Sequence, residues 1–318
     1  MSEIIAGLAS SHAFALVDPT TWDERRERNR QMYAKRYGVE PARQPKVAEE
    51  TLEVRKARYK NVKDGLDFFQ GWLKENKPDA LILVGDDQNE NFHADNMPQI
   101  SIYLGDSVRA FDPRLDRGDA VPPQYPCHAE LAHKLLVGLI DRDFDVAFSK
   151  AFPQDKLLSH AHAPILRLLD PDASIPVVLV FVNAIHIPGI SPSRCYRLGQ
   201  AIGEIVTKDG SPAERVAIYA SGGLSHFTGG YPWPDYTGPF SYGSISEDFD
   251  RRALEWIKTG NGHKLAGLTS QDLLDNGDIE MRSWIVLAGA MGERPANVLA
   301  YEPLYSGNMG MGVAFWKG

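Results

Sequence analysis

Three short apolar runs, 80–85 (ALILVG), 176–182 (PVVLVFV) and 216–220 (VAIYA), contain no charged residue. A strand with one wet face alternates apolar and polar residues, so unbroken runs of this kind belong to strands buried on both faces, as in α/β sheets. Helix-like segments separate the runs, and the alternation continues through the whole length. The chain is therefore read as α/β, a single domain over 1–318 with a mixed central sheet flanked by helices and its site at the strand C-terminal ends. Its 318 residues, 43% of them hydrophobic, suffice to bury one large core.

Further strands are expected at 4–9, 100–104 and 143–149. Helices are expected over much of 22–73, with a turn at 38–45, and at 130–141, 193–206 and 246–258, with one more inside 277–291. In the first of these Val62, Leu66, Phe69 and Leu73 form an apolar face. Leu131, Leu135 and Ile140 point inward from the next, and Leu198, Ile202 and Ile205 from the one after, with Arg197 and Gln200 outward. A Pro-rich stretch up to Pro126 reads as surface loop, and residues 229–243, rich in Gly, Pro and aromatics, as a loop covering a pocket.

A formal net charge of -8 argues against a nucleic-acid surface, which needs an excess of clustered Lys and Arg. The run Arg25, Arg26, Arg28, Arg30 is interleaved with Glu24 and Glu27 and reads as a solvated helix face. Two cysteines, Cys127 and Cys195, give no disulfide framework and no thiolate zinc site, which fits a reducing cytoplasm. No apolar stretch approaches the roughly 20 residues of a membrane span, and residues 1–17 lack the pattern of a signal peptide.

Chemistry is expected where the strands end. The run 4–9 delivers Ser10, Ser11 and His12; 80–85 delivers Asp86, Asp87 and Gln88; 216–220 runs through Gly222 and Gly223 to Ser225 and His226. Loops add His160 and His162, and a helix start adds Glu280. Imidazole and carboxylate ligands with open positions describe the facial triad of non-heme Fe(II) oxygenases. Each residue also has a plain reading: His12 as a turn cap, His160 and His162 as surface groups, His226 as a satisfied buried histidine, Glu280 as a favourable anion in a helix's first turn. His128, His133, His186 and His263 are read as structural. There is no Gly-rich phosphate loop after a strand and no GxSxG elbow.

The segments SSHAFAL, ILVGDDQNENF, VNAIHIPGISPSRCYRLG, SGGLSHFTGG, ISEDFDRRALEWI and IEMRSWIVLAGAM occur in that order between residue 10 and about residue 292. Together they resemble the catalytic β-subunit of protocatechuate 4,5-dioxygenase and its relatives, the gallate and 3-O-methylgallate dioxygenases, which are class III extradiol ring-cleaving enzymes. Only a helical insertion at about 20–60 falls outside the resemblance. The resemblance implies a cytoplasmic enzyme that cleaves a catechol-type aromatic, such as protocatechuate, gallate or 3-O-methylgallate from lignin breakdown, with Fe(II) and O2. It implies His12 and Glu280 as iron ligands, His226 as the acid/base, and His160 against the substrate hydroxyls, with Ser159 where the family has Asp. His162, Phe227 and Tyr242 are expected at the substrate, with Trp233, Tyr236 and Phe240 as further walls, and Arg194, Arg197 or Arg282 as partners of a substrate carboxylate. The insertion offers a lid in cis or a dimer element, so a homodimer without a separate small subunit is expected.

The departure from the family is Gln88, which aligns without a gap with the second iron-binding histidine. An amide oxygen is a neutral, weaker ligand than imidazole. Three accounts stay open: Gln88 ligates the metal, His93 or Glu90 replaces it, or metal affinity is lost. Retention of a metal is favoured because the other positions are intact. The rival readings are a metal-deficient relative that binds a phenolic ligand or a partner protein, and a hydrolase or lyase with a redox-inert ion.

Overall fold

The charge-free runs become the centre of one sheet. The computed structural model describes residues 2–12, 17–112, 121–152, 158–208, 210–227 and 242–318. Its strands are β1 (Glu3–Ser10), β2 (Ala80–Gly85), β3 (Ile100–Tyr103), β4 (Ser107–Arg109), β5 (Gln124–Pro126), β6 (Ala147–Ser149), β7 (Val177–Val182), β8 (Arg215–Ser221), β9 (Ala296–Leu304) and β10 (Met309–Lys317). The helices are α1 (Trp22–Tyr37), α2 (Leu52–Asn76), α3 (Ala129–Ile140), α4 (Ala163–Leu169), α5 (Pro192–Thr207), α6 (Glu247–Lys258), α7 (Ser270–Asp275) and α8 (Met281–Met291). Eight strands form a mixed sheet in the order β6-β3-β7-β2-β8-β1-β10-β9, and β4 pairs with β5.

The four central strands β7, β2, β8 and β1 are mutually parallel, and the outer pairings β3 to β7, β1 to β10 and β10 to β9 are antiparallel. Alternate side chains of the central strands feed two cores. Ile82, Val84, Val178, Val180, Ile218 and Ala220 face the layer built by α3, α5, α6 and α8. Leu81, Leu83, Leu179, Ala217 and Tyr219 face α2, through Val62, Leu66, Phe69 and Leu73, and α4. Because parallel strands in register end together, Ser10 lies opposite Ser221 and Val84 opposite Ala220, and three chain segments leave the sheet at one rim.

Helices α5 and α8 meet at glycines. A Cβ on Gly199 would fall inside the Val286 carbonyl oxygen, and one on Gly289 inside the Tyr196 carbonyl oxygen. This backbone-to-backbone approach sets how closely the layer presses on β1 and β8, and so where α8 begins.

Several sequence expectations need correction. The strand expected over 143–149 is confined to β6, because the chain is still turning at 141–143. Ile140 is 52% exposed and Leu139 is buried instead, since a four-residue step from Leu135 keeps the same helix face while a five-residue step leaves it. The Pro-rich stretch is more than surface loop: β5 buries Tyr125, whose hydroxyl donates to the Asp170 carbonyl at 2.9 Å. The arginines of α1 are only partly solvated. Arg26 donates to the Ser306 carbonyl and Arg30 to the Pro41 carbonyl, which ties the helix to the body. No helix among the described residues is long and apolar enough to cross a membrane, and Cys127 and Cys195 are both free.

Gly199→Ala tests the helix contact. Despite its gain in helix propensity, overpacking against a carbonyl is expected to lower stability by about 2 kcal/mol or more, read from the urea midpoint. A variant as stable as the parent would mean that α5 and α8 are free to separate.

Candidate active site

The rim gathers around Glu280, the residue that caps α8 and is 1% exposed. Its Oε2 accepts the Gly223 backbone N–H at 2.5 Å and lies 3.9 Å from His12 Nε2. Its Oε1 accepts from Gln88 Nε2 at 2.7 Å and lies 3.4 Å from His226 Nε2. Thus the ends of β1, β2 and β8 and the start of α8 each contribute to one buried carboxylate. Gly223 is required by contact: a Cβ there would stand 2.7 Å from His226 Cε1 and 3.2 Å from Glu280 Oε2.

The ring nitrogens of His12 can be assigned from their surroundings. Ser221 Oγ donates its single proton to the Ala161 carbonyl, so toward His12 Nδ1, 3.2 Å away, it acts as acceptor. Nδ1 therefore carries a proton, and Nε2 is the ring nitrogen that faces Glu280. His226 is fixed similarly, with Nδ1 donating to the Leu224 carbonyl at 2.8 Å. Burial alone would push the His226 imidazole down, but the charge of Glu280 and the hydrogen bond to it outweigh burial and raise it. Behind His226, the backbone N–H and hydroxyl of Ser225 donate to Asp250 at 3.0 and 2.7 Å, as does the Tyr301 hydroxyl at 2.7 Å. Burial pushes the Asp250 carboxyl up to about 6.

The three polar residues after β2 divide their tasks. Asp87 accepts from the N–H groups of Asn91 and Phe92 and shapes the loop. Asp86 is buried, accepts from Gln88 Nε2 at 3.1 Å, and has no partner for Oδ1. Burial first, and then the charge of Glu280, raise its carboxyl well above the usual range. Gln88 thus spans two carboxylates with one amide nitrogen.

His160 joins the group: its ring stands edge-on to His12 at 5.0 Å between centroids, and its side chain is 40% exposed. It pairs through Nδ1 with Glu90. Burial would lower His160, but the hydrogen bond and charge of Glu90 prevail and hold it at about 9. The same pairing, against the effect of burial, holds Glu90 at about 2.

The structure does not bring His162 to this group. It is wholly buried, with Nδ1 2.7 Å from Ser159 Oγ and its ring against Phe181, and burial pushes it down to about 4. Phe227 and Tyr242 pack with Ala184, Ile185 and Ile279 in a small apolar cluster that Tyr33 of α1 joins. Trp233, Tyr236 and Phe240 lie outside the described residues. Arg282 is buried and spends its guanidinium on the Ile190 and Ile279 carbonyls, so it is a clamp and meets no substrate. Arg194 pairs with Asp145, while Arg197 and His93 are exposed. His128 caps α3, and His186 meets Asn89. Ser221 and Asp250 escaped sequence reasoning as functional groups because their partners are remote in the chain.

Among the described residues no group of three or more His, Cys, Asp or Glu is arranged to hold a metal ion. The reason is local: His12 and Glu280 face one another and the third corner is an amide. The surroundings still suit a cation. Two buried carboxylates share the Gln88 amide, Asp86 Oδ1 is orphaned, and His12 turns Nε2 toward Glu280. Burying two like charges together is costly without a compensating positive charge. Gln88 offers an oxygen to such an ion after a half-turn of its amide.

Fold and rim together define an α/β protein with a buried cluster of imidazoles and carboxylates at its strand ends. The chain belongs to the family described as the catalytic LigB subunit of aromatic ring-opening dioxygenase, which matches residues 44–316. Among curated relatives, a 2,3-dihydroxyphenylpropionate/2,3-dihydroxicinnamic acid 1,2-dioxygenase of Comamonas testosteroni is 33% identical over 159 residues, 48% of this chain and 45% of that protein. The enzyme of the same name from Burkholderia vietnamiensis is 28% identical over 67% of this chain and 75% of its own length. A gallate dioxygenase of Pseudomonas putida is 28% identical over 52% of this chain and 46% of its own. The first and third alignments thus span less than half of the relative. An uncharacterised Escherichia coli K12 protein of known structure shares the fold, with a TM-score of 0.50 at 16% identity, covering 79% of this chain and 91% of that one.

Ser221→Ala removes the acceptor that orients His12. Divalent-metal affinity, measured by titration of chelator-treated protein, is expected to fall about 10- to 100-fold. Unchanged affinity would mean that His12 is held by something else.

Proposed function

We propose that this chain opens the ring of a carboxylated catechol beside its diol, with dioxygen as co-substrate and ferrous iron held by His12, Glu280 and the Gln88 oxygen. The observation that carries this reading is the convergence on Glu280, where two imidazole Nε2 atoms face opposite oxygens of one buried carboxylate. Relatives named for gallate and for 2,3-dihydroxyphenylpropionate support a carboxylated diol as substrate. Iron would supply the open positions and electrons through which diol and dioxygen react.

The chain's own groups handle protons and water. His226 is fixed through Nδ1, so Nε2 is the atom that takes a proton from a substrate hydroxyl and later returns it. Glu280 is what raises His226; once that carboxylate is neutralised the pull is removed, and burial brings the imidazole back toward the range where it exchanges protons. Ala184, Ile185, Phe227 and Ile279 give an apolar wall that excludes water. The role of lid falls to α1, since Tyr33 packs on Phe227 and Tyr242, and the Tyr242 hydroxyl donates to the Arg26 carbonyl. A lid in cis dispenses with a small subunit. The free cysteines are compatible with the cytoplasm.

One observation favours a second reading. The Gln88 amide, donating to both Asp86 and Glu280, partly satisfies the pair without a cation, as a metal-free phenol-binding relative would require.

Oxygen uptake separates the two. Anaerobically iron-loaded protein mixed with gallate or 2,3-dihydroxyphenylpropionate in air-saturated buffer is expected to consume one dioxygen per diol. His226→Ala should lower kcat about 100-fold or more while KM changes little. Tyr33→Ala should raise KM several-fold through a loosened lid. A chain that takes up no iron and consumes no dioxygen, yet binds the diol, would leave the binding reading in possession.

A further inference from the structure

Glu90 lies two residues beyond Gln88, in the loop that follows β2. Its Oε2 accepts the backbone N–H of Gln88 at 2.6 Å, and its Oε1 accepts the backbone N–H of His160 at 3.3 Å. The same Oε1 meets His160 Nδ1. One side chain therefore ties the loop carrying Gln88 to the loop carrying His160. Ser159, the neighbour of His160, does not do this: its hydroxyl donates to the Asp86 carbonyl at 3.0 Å and accepts from His162 Nδ1 at 2.7 Å.

A carboxylate can only accept, so Nδ1 is the protonated nitrogen toward Glu90 whatever the charge of the ring. Nε2 is then the atom left for a ligand, and His160 makes no other hydrogen bond among the described residues. The side chain is 40% exposed yet its ring stands against buried His12, so it links the buried cluster to the surface. A phenolic hydroxyl suits Nε2 in either protonation state, because it can donate or accept.

We propose that Glu90 is a positioning residue, which locks the His160 ring through Nδ1 so that Nε2 engages a phenolic hydroxyl of the bound aromatic. This deepens the catechol reading of the site and rests on it for the identity of the ligand. The lock itself is a property of the free protein. Its chemistry is that of a histidine oriented by a carboxylate, an arrangement whose loss costs about 10- to 100-fold in comparable sites.

The test combines proton NMR of histidine-labelled protein with calorimetric titration of gallate. The parent chain is expected to show a low-field Nδ1 proton, assigned by its loss in His160→Gln. It should vanish in Glu90→Gln and persist in Ser159→Ala, with Glu90→Asp as a second variant should Glu90→Gln fold poorly. Glu90→Gln and His160→Gln should each weaken gallate about 10- to 100-fold, and the double variant should be no weaker than His160→Gln alone. Persistence of the resonance in Glu90→Gln, or effects that simply add in the double variant, would overturn the proposal. If the resonance behaves as expected but the parent takes up no gallate, the catechol reading falls and with it the ligand half of the proposal, while the lock stands.

Discussion

The buried carboxylate of Glu280 organises the rest of the site. Removing an ion from water costs several kcal/mol unless partners replace its hydration, and here the partners come from four places in the fold: the Gly223 N–H, the Gln88 amide, His226 and His12. They converge because β1, β2 and β8 are parallel, in register and adjacent, so their ends lie together. The close approach of α8 to α5 through Gly199 and Gly289 fixes the start of α8, and hence Glu280, against that rim. Any side chain at Gly222 would strike the Glu280 carbonyl, so the turn after β8 is bound to the same point.

Much of this was legible in the sequence, for a physical reason. Strands buried on both faces cannot carry charge, so 80–85, 176–182 and 216–220 stood out, and the polar residues just beyond two of them had to lie at an end of the sheet. That logic reached His12, Gln88 and His226. The same reading placed Glu280 at a helix start and His160 in a loop, and the resemblance gave each its expected role. Ser221 and Asp250 were not reached, their partners Ala161 and Ser225 lying 60 and 25 residues away, and Glu90 was weighed only in place of Gln88, its tie to His160 spanning 70 residues. His162 misled because it is two residues from His160; the chain enters α4 there, and the turn sends one ring to the site and the other under β2 and β7. The strands β9 and β10, punctuated by Pro303 and by Gly310 and Gly312, were not read as strands.

The segment around α1 was harder to read. α1 is so polar that only Trp22 is buried, and its composition suggests a helix standing free in solvent. It is held instead by directed contacts: Arg26 to the Ser306 carbonyl, Tyr33 on Phe227 and Tyr242, and Arg55 of α2 to Asp23 at 2.8 Å. An element fixed by a few polar and aromatic contacts opens at lower cost than one sealed by a core, which suits the covering role proposed for it.

The central claim is that a cation sits at Glu280 with an amide in place of a second imidazole. X-ray absorption at the iron edge of anaerobically loaded protein tests it most directly. The account predicts a first shell dominated by oxygen, with a single imidazole from His12, and a gain of one imidazole in Gln88→His. Two imidazoles in the parent protein would contradict it, for His160 or His226 would then have left the position described here to become a ligand.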